Sequence, residues 1–170
     1  MKRRWSDLAA LPVLLGEDSR ELGRLRGVFI NPETGQLIGF LVGFSRVLAS
    51  TDIERWGDEA VYARGKDSLV SPFEILRIEK FGLRRTLFLS KKVLSKKGRR
   101  FGKLRDFTLD TGLDILASIE CSKGFFGFKW GHRIFSRSEI TEILDGKIVV
   151  QVEPEEKEGT REHVQVPAAV

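Results

Sequence analysis

Arg20-Glu21-Leu22-Gly23-Arg24-Leu25-Arg26 returns 79 residues later as Arg99-Arg100-Phe101-Gly102-Lys103-Leu104-Arg105. Four of the seven positions are identical, and Leu22/Phe101 and Arg24/Lys103 keep their chemistry. Moving outward, the matches continue in order. Val28-Phe29-Ile30-Asn31 is answered by Phe107-Thr108-Leu109-Asp110, and Leu37-Ile38-Gly39 by Ile115-Leu116-Ala117. Ser50-Thr51-Asp52-Ile53 is answered by Arg137-Ser138-Glu139-Ile140, and Asp58 to Tyr62 by Asp145 to Val149. The second copy carries roughly eight extra residues between Lys123 and Gly131. An ordered series of this kind is the signature of a duplicated structural unit.

Each unit reads as β. Leu22, Arg24, Arg26, Val28 and Ile30 fall on one face of an extended chain, and Gly23, Leu25, Gly27 and Phe29 on the other. Apolar residues on both faces suit a strand that curves through a small barrel. Asn31-Pro32-Glu33-Thr34-Gly35 is a turn, with proline setting φ and Gly35 free to take positive φ. Asp110 and Gly112 mark the corresponding turn. Gly23 and Gly102 occupy one position in both copies, which predicts a bulge or a close backbone approach. Ser50-Thr51-Asp52 is expected to cap one short helical turn. A unit of about 55 residues buries too little surface to be very stable alone, and closing its sheet and packing it on a second unit offsets this.

Between the copies, Ser71-Pro72-Phe73-Glu74 is a capping box with proline at the first helical position. It predicts a helix over 72–80 ending near Gly82, docked through Ile75, Ile78 and Leu76. The expected fold is mainly β: two tandem small antiparallel β-barrels joined by a short helix. The divisions are a first barrel over 8–70, a helical linker over 71–90, a second barrel over 91–152 and a charged tail over 153–170 read as disordered.

The run from Lys96 to Asp110, the Thr111-Gly112 turn, the apolar strand after it, the acidic-Ile helical turn and the final valine-rich strand resemble the PRC-barrel. The resemblance covers roughly 13–63 and 92–152. That module is named after the cytoplasmic H subunit of the photosynthetic reaction centre, and a similar barrel forms the C-terminal part of a ribosome maturation factor. The resemblance implies a scaffold or adaptor that binds proteins or RNA–protein particles, with no catalytic residues and no cofactor to carry over. The longest apolar run, Leu37 to Phe44, is far short of the ~20 residues of a membrane-spanning helix. The basic N-terminus is followed by Asp7, Glu17 and Asp18 rather than a secretory core. The expected compartment is the cytoplasm, with the inner membrane face as a peripheral placement.

Enzyme chemistry finds little support. A single cysteine, Cys121, excludes an internal disulfide and a cysteine-based metal site. His132 has no histidine or cysteine at ligand spacing, and His163 falls in the tail. Neither a Gly-x-Ser-x-Gly elbow nor a phosphate loop occurs. The recurring carboxylates Asp52/Glu139 and Asp58/Asp145 are read as caps and turn residues rather than as an acid–base pair.

Charge is the main functional signal. Residues 1–79 carry 11 basic and 12 acidic side chains, residues 80–152 carry 16 and 7, and residues 153–170 carry 2 and 5. The excess is therefore confined to the linker and second copy. Between 80 and 105 stand Lys80, Arg84, Arg85, Lys91, Lys92, Lys96, Lys97, Arg99, Arg100, Lys103 and Arg105 with no acidic residue. All of these except Lys80 are the candidate contact residues. Such a run attracts acidic protein surfaces or phosphates, and the plainer reading is a solvated stretch whose lysines keep sheet edges from aggregating. Lys96 to Arg100 fits a hairpin tip. In the second-copy insertion, Phe126, Phe128 and Trp130 share one face at period two. They fill the second barrel or the seam opposite Trp56 and Phe73, or form an exposed contact. The function expected is a non-enzymatic adaptor with a protein partner. An RNA- or ribosome-associated factor using the basic segment is the alternative, and peripheral membrane contact is a further one.

Overall fold

The computed structural model describes residues 1–16, 20–125 and 128–152, and for 125 and 128–130 the backbone alone. It is mainly β, with two curled sheets. The first comprises β2 (Pro12–Leu15), β3 (Arg20–Ile30), β4 (Leu37–Val42), β5 (Arg46–Ala49), β6 (Ile53–Trp56), β7 (Val61–Ala63) and β8 (Leu69–Val70), in the spatial order β6-β7-β2-β3-β4-β5-β8. The second comprises β9 (Lys92–Ser95), β10 (Arg100–Asp110), β11 (Ile115–Phe125), β12 (Phe128–Ser136), β13 (Ile140–Leu144) and β14 (Lys147–Val150), in the order β12-β11-β10-β9-β14-β13. A leading strand, β1 (Lys2–Arg4), also joins this second sheet, on β10. No helix among the described residues is long and apolar enough to cross a membrane.

The two sheets follow one path. β2 pairs antiparallel with β3 and parallel with β7; β9 pairs antiparallel with β10 and parallel with β14. Register shifts fall between Leu25 and Gly27 and between Phe29 and Ile30, and again between Leu104 and Asp106 and between Thr108 and Leu109, at the same offset of 79. Beyond the insertion, the shift between Ile53 and Arg55 recurs between Ile140 and Glu142, 87 residues on. The eight extra residues are a longer hairpin: β4–β5 pairing ends at Val42 and Arg46, whereas β11–β12 continues to Phe125 and Phe128. One match needs correcting. Leu37 pairs with Ile30 and Leu116 with Leu109, so Leu37 answers Leu116 and not Ile115.

Gly23 and Gly102 do what their recurrence predicts. Both take positive φ, +149° and +144°, beside a register shift. A Cβ on Gly102 would run into the Ser122 carbonyl, and one on Gly23 into the Val42 side chain. Asn31 Oδ1 accepts from the amides of Glu33 (3.0 Å) and Thr34 (3.3 Å), and Asp110 Oδ1 from that of Gly112 (3.0 Å). Gly35 has φ +78°. Its equivalent is Asp114, at φ +49°, rather than Gly112. Aspartate tolerates this region because its short carboxylate bonds locally.

The expected cap at Ser50 is not made. Residues 50–52 form a 3₁₀ turn, but Ser50 Oγ donates to the Leu37 carbonyl (3.2 Å). The second copy builds the cap instead: Glu139 accepts from the Ser136 amide and hydroxyl, each at 2.7 Å. These bonds hold its carboxyl below the usual range.

The predicted linker helix is split. Its capping box forms, with the Ser71 amide on Glu74 at 2.9 Å. The chain then makes a 3₁₀ turn over Pro72–Glu74, then α2 (Leu76–Phe81) and α3 (Leu83–Thr86), divided by Gly82 at φ +81°; α1 (Trp5–Leu8) follows β1 at the N-terminus. Ile75 and Ile78 dock α2 on a small core with Phe29, Ile38 and Val47, while Leu76 is 78% exposed.

The leading segments cross over. β1 precedes the first sheet but pairs with β10 of the second. Leu87 and Phe88 precede the second sheet, yet Leu87 bridges Phe29 and the Phe88 amide donates to the Val28 carbonyl (2.8 Å) of the first. One core therefore runs through both sheets. Its centre is a chain of rings: Trp56 against Phe40 (5.5 Å), Phe40 against Trp5 (6.5 Å), Trp5 against Phe107 (5.8 Å) and Phe107 against Phe88 (5.0 Å). Trp56 is partly buried against the core, edge-on to Phe40 of its own sheet. Phe73 does not fill the seam; it is 71% exposed. Phe126 and the tail 153–170 lie outside the described residues. Phe128 and Trp130 stand on β12, their backbones opposite Phe125 and Lys123, and their side chains are likewise outside the described atoms.

Candidate binding face of the second sheet

Alternation along β9 and β14 turns Val93 and Ile148 into the core and leaves Lys92 and Lys147 outside. Lys147 is the parallel neighbour of Lys92, and Lys92 the antiparallel neighbour of Lys103 on β10. Three exposed lysines thus stand side by side on adjacent strands, whose backbones lie about 4.8 Å apart in the hydrogen-bonding direction. Like charges placed directly opposite each other destabilise a sheet. Among the described residues none of the three makes an ion pair. Arg105 continues the row, its Nε donating to Ser122 Oγ at 3.1 Å.

The first sheet provides a built-in comparison. The positions equivalent to Lys147, Lys92 and Lys103 are Ala60, Pro12 and Arg24. Arg24 is paired with Glu21 at 3.1 Å. The fold needs no cation at the positions of Lys92 and Lys147, and only the second copy has all three.

The other candidate cations divide by position. Lys96, Lys97, Arg99 and Arg100 are exposed at the β9–β10 turn, where Gly98 takes φ +81°. This tip is about 13 Å along β9 from Lys92. Arg84 is exposed on α3. Arg85 is half-buried, its Nε donating to the Ile143 carbonyl (3.1 Å). Lys91 does not belong to the contact surface. It is 1% exposed, and its Nζ donates to the carbonyls of Arg84 (3.1 Å) and Leu144 (3.0 Å), stapling the linker to the β13–β14 turn. Burial pushes its pKa below the ordinary lysine value, against the raising effect of Asp145. The reason is topological: Lys91 answers Leu11, and the Leu104 amide bonds its carbonyl as the Leu25 amide bonds that of Leu11.

A second polar row crosses β1, β10, β11 and β12. Arg4 donates from Nε to Asp106 (3.0 Å) and from its terminal nitrogen to Glu120 (2.6 Å), and His132 Nε2 lies 2.7 Å from the other Glu120 oxygen. Asp106 is buried and also accepts from the amides of Ser6 (3.0 Å) and Phe107 (2.9 Å). Asp106 is committed to Arg4 and to backbone, and Glu120 to Arg4 and His132, which ties four strands together. Arg4, Phe107, Thr108, Ser118, Glu120 and Ile134 line a shallow cleft of about 160 Å³ there. Cys121 is buried, and burial raises its thiol pKa to about 11. Among the described residues no three His, Cys, Asp or Glu side chains gather as a metal site would need.

Two sets of residues escape sequence reasoning. Lys147 could have been found, because the offset of 87 places it on the strand beside Lys92. Arg4, Asp106 and Glu120 carry no such signal, since their strands are brought together by the crossover of β1. A scan against protein-family models finds no match to this chain, and neither does a search of the curated proteins.

Proposed function

We propose that the chain is a non-enzymatic, cytoplasmic adaptor built from two PRC-type barrels, the two curled sheets being those barrels. Its second unit grips an acidic protein surface. The observation that carries this reading is the in-register row Lys147–Lys92–Lys103. It has a folding cost, it lacks counter-ions among the described residues, and it is replaced in the first unit by Ala60, Pro12 and an already paired Arg24. The hairpin tip at Lys96 to Arg100 extends the same field, and the shared core with the first unit holds both in place.

The test is affinity capture from nuclease-treated native lysate with the full chain and with the triple variant Lys92→Glu, Lys103→Glu, Lys147→Glu. The expected result is a partner lost from the variant by at least about tenfold at unchanged melting temperature, and weakened in the wild type between 50 and 200 mM salt, as screening requires. Capture that survives the triple variant overturns the reading. Capture that disappears on nuclease treatment replaces it with an RNA- or ribosome-associated one.

A further inference from the structure

In the first sheet, β8 lies along the outer edge of β5, with Val70 opposite Val47 and Leu69 opposite Leu48. The Arg46 guanidinium donates to the Leu69 carbonyl at 2.8 Å. Helix α2 then folds over the same face, and Val47 is completely buried. The second sheet keeps the receiving strand, and no described strand or helix covers it. Arg46, Val47 and Leu48 become Arg133, Ile134 and Phe135, the same order of cation, aliphatic and large apolar residue. Among the described residues β12 pairs with β11 alone. Ile134 is consequently 61% exposed where Val47 is buried. The residues at the offset of β8 are Glu156 and Lys157 rather than a Leu-Val pair.

We infer that the outer edge of β12 receives an extended segment of a partner protein as an added antiparallel strand, in trans where β8 acts in cis. The segment carries two adjacent aliphatic residues flanked by acidic ones. This rests on the adaptor reading and names its partner's chemistry. The aliphatic pair follows from β8, which shows what this edge accepts in its other copy. The residue opposite Ile134 then projects beside the cleft formed with Thr108, Ser118 and Glu120. The acidic flanks follow from charge: β12 holds no acidic residue and belongs to the part of the chain, residues 80–152, that carries 16 basic against 7 acidic side chains. Backbone pairing supplies affinity and the alternate side chains supply selectivity, as in strand addition generally.

The test uses the full chain and a fluorescein-labelled peptide, Glu-Asp-Ser-Leu-Val-Ser-Glu-Asp. Expected are saturable anisotropy and at least about tenfold slower hydrogen exchange in residues 133–136. Ile134→Lys should weaken binding at least about tenfold at unchanged melting temperature, and a peptide with Ser-Ser for Leu-Val should not bind. No saturable binding, or equal binding by Ile134→Lys, overturns the inference. So does concentration-dependent self-association abolished by Ile134→Lys, which would assign the edge to a second copy. The lysine-row variant should still bind the peptide through its aliphatic pair, so failure at the edge and failure at the lysine row are read separately.

Discussion

The Leu37 amide donates to the Asp114 carbonyl at 2.8 Å, and the Leu116 amide donates to the Gly35 carbonyl at 2.9 Å. Leu37 and Leu116 are equivalent positions of the two units, as are Gly35 and Asp114. Gln36 and Ile115, also equivalent, form the bridge between the bonds. A position that meets its own counterpart reciprocally is the hallmark of a two-fold contact. Here both halves of that contact lie in one chain. The units therefore meet as a dimer would, and the exchanged segments at β1 and at 87–88 lock the arrangement.

Gly102 should be among the least replaceable residues. Its φ of +144° is strained for any other residue, and an added methyl would collide with the Ser122 carbonyl, which is held in the β10–β11 ladder. Gly102→Ala should cost roughly 2–4 kcal/mol, lowering the melting temperature by roughly 5–15 °C for a chain of this size. Gly98→Ala, at φ +81° but in open space, should cost about 1 kcal/mol. Calorimetry of both variants checks the ranking, and equal losses would contradict the close approach.

Lys91 should give stability a distinctive alkaline dependence. Its folded pKa is lowered by burial, with Asp145 opposing and Arg85 assisting. Between that value and 10.5 the unfolded chain binds more protons than the folded one, so unfolding free energy rises with pH across this window. Lys91→Met has no such proton. Urea denaturation of both proteins from pH 7 to pH 10.5 should show the wild type gaining on the variant as pH rises. Parallel curves would refute this.

Cys121 should be inert in the native state. With a thiol pKa of about 11 and no exposed surface, thiolate at pH 8 is about one part in a thousand. Labelling with a disulfide reagent should be at least about a hundredfold faster in guanidinium than in buffer. Fast native labelling would mean that β11 opens readily.

The duplication was legible because turns and bulges require particular residues. Asn31 and Asp110 each fold their oxygen back onto the turn, and Gly23 and Gly102 sit where a Cβ cannot. The linker start was legible because Ser71 and Glu74 satisfy each other's backbone. The hairpin tip at Lys96 to Arg100 was visible as charge around a glycine. The depth of Lys91 was not, because it depends on a turn 53 residues away. Nor was the exposure of Phe73, which the capping box turns away from the core that Ile75 and Ile78 enter.

Sequence alone determined that one β unit occurs twice, where each unit turns, and that positive charge gathers in the second. Only tertiary structure decided that β1 belongs to the second sheet rather than to the first, that Lys91 is buried, and that among the described residues no strand covers the edge of β12 while β8 covers that of β5. Turns are chosen by the φ and hydrogen-bonding needs of a few adjacent residues, which side chains encode directly. Strand neighbours are joined by backbone groups that every residue carries alike, so their choice is settled by what the whole core can bury.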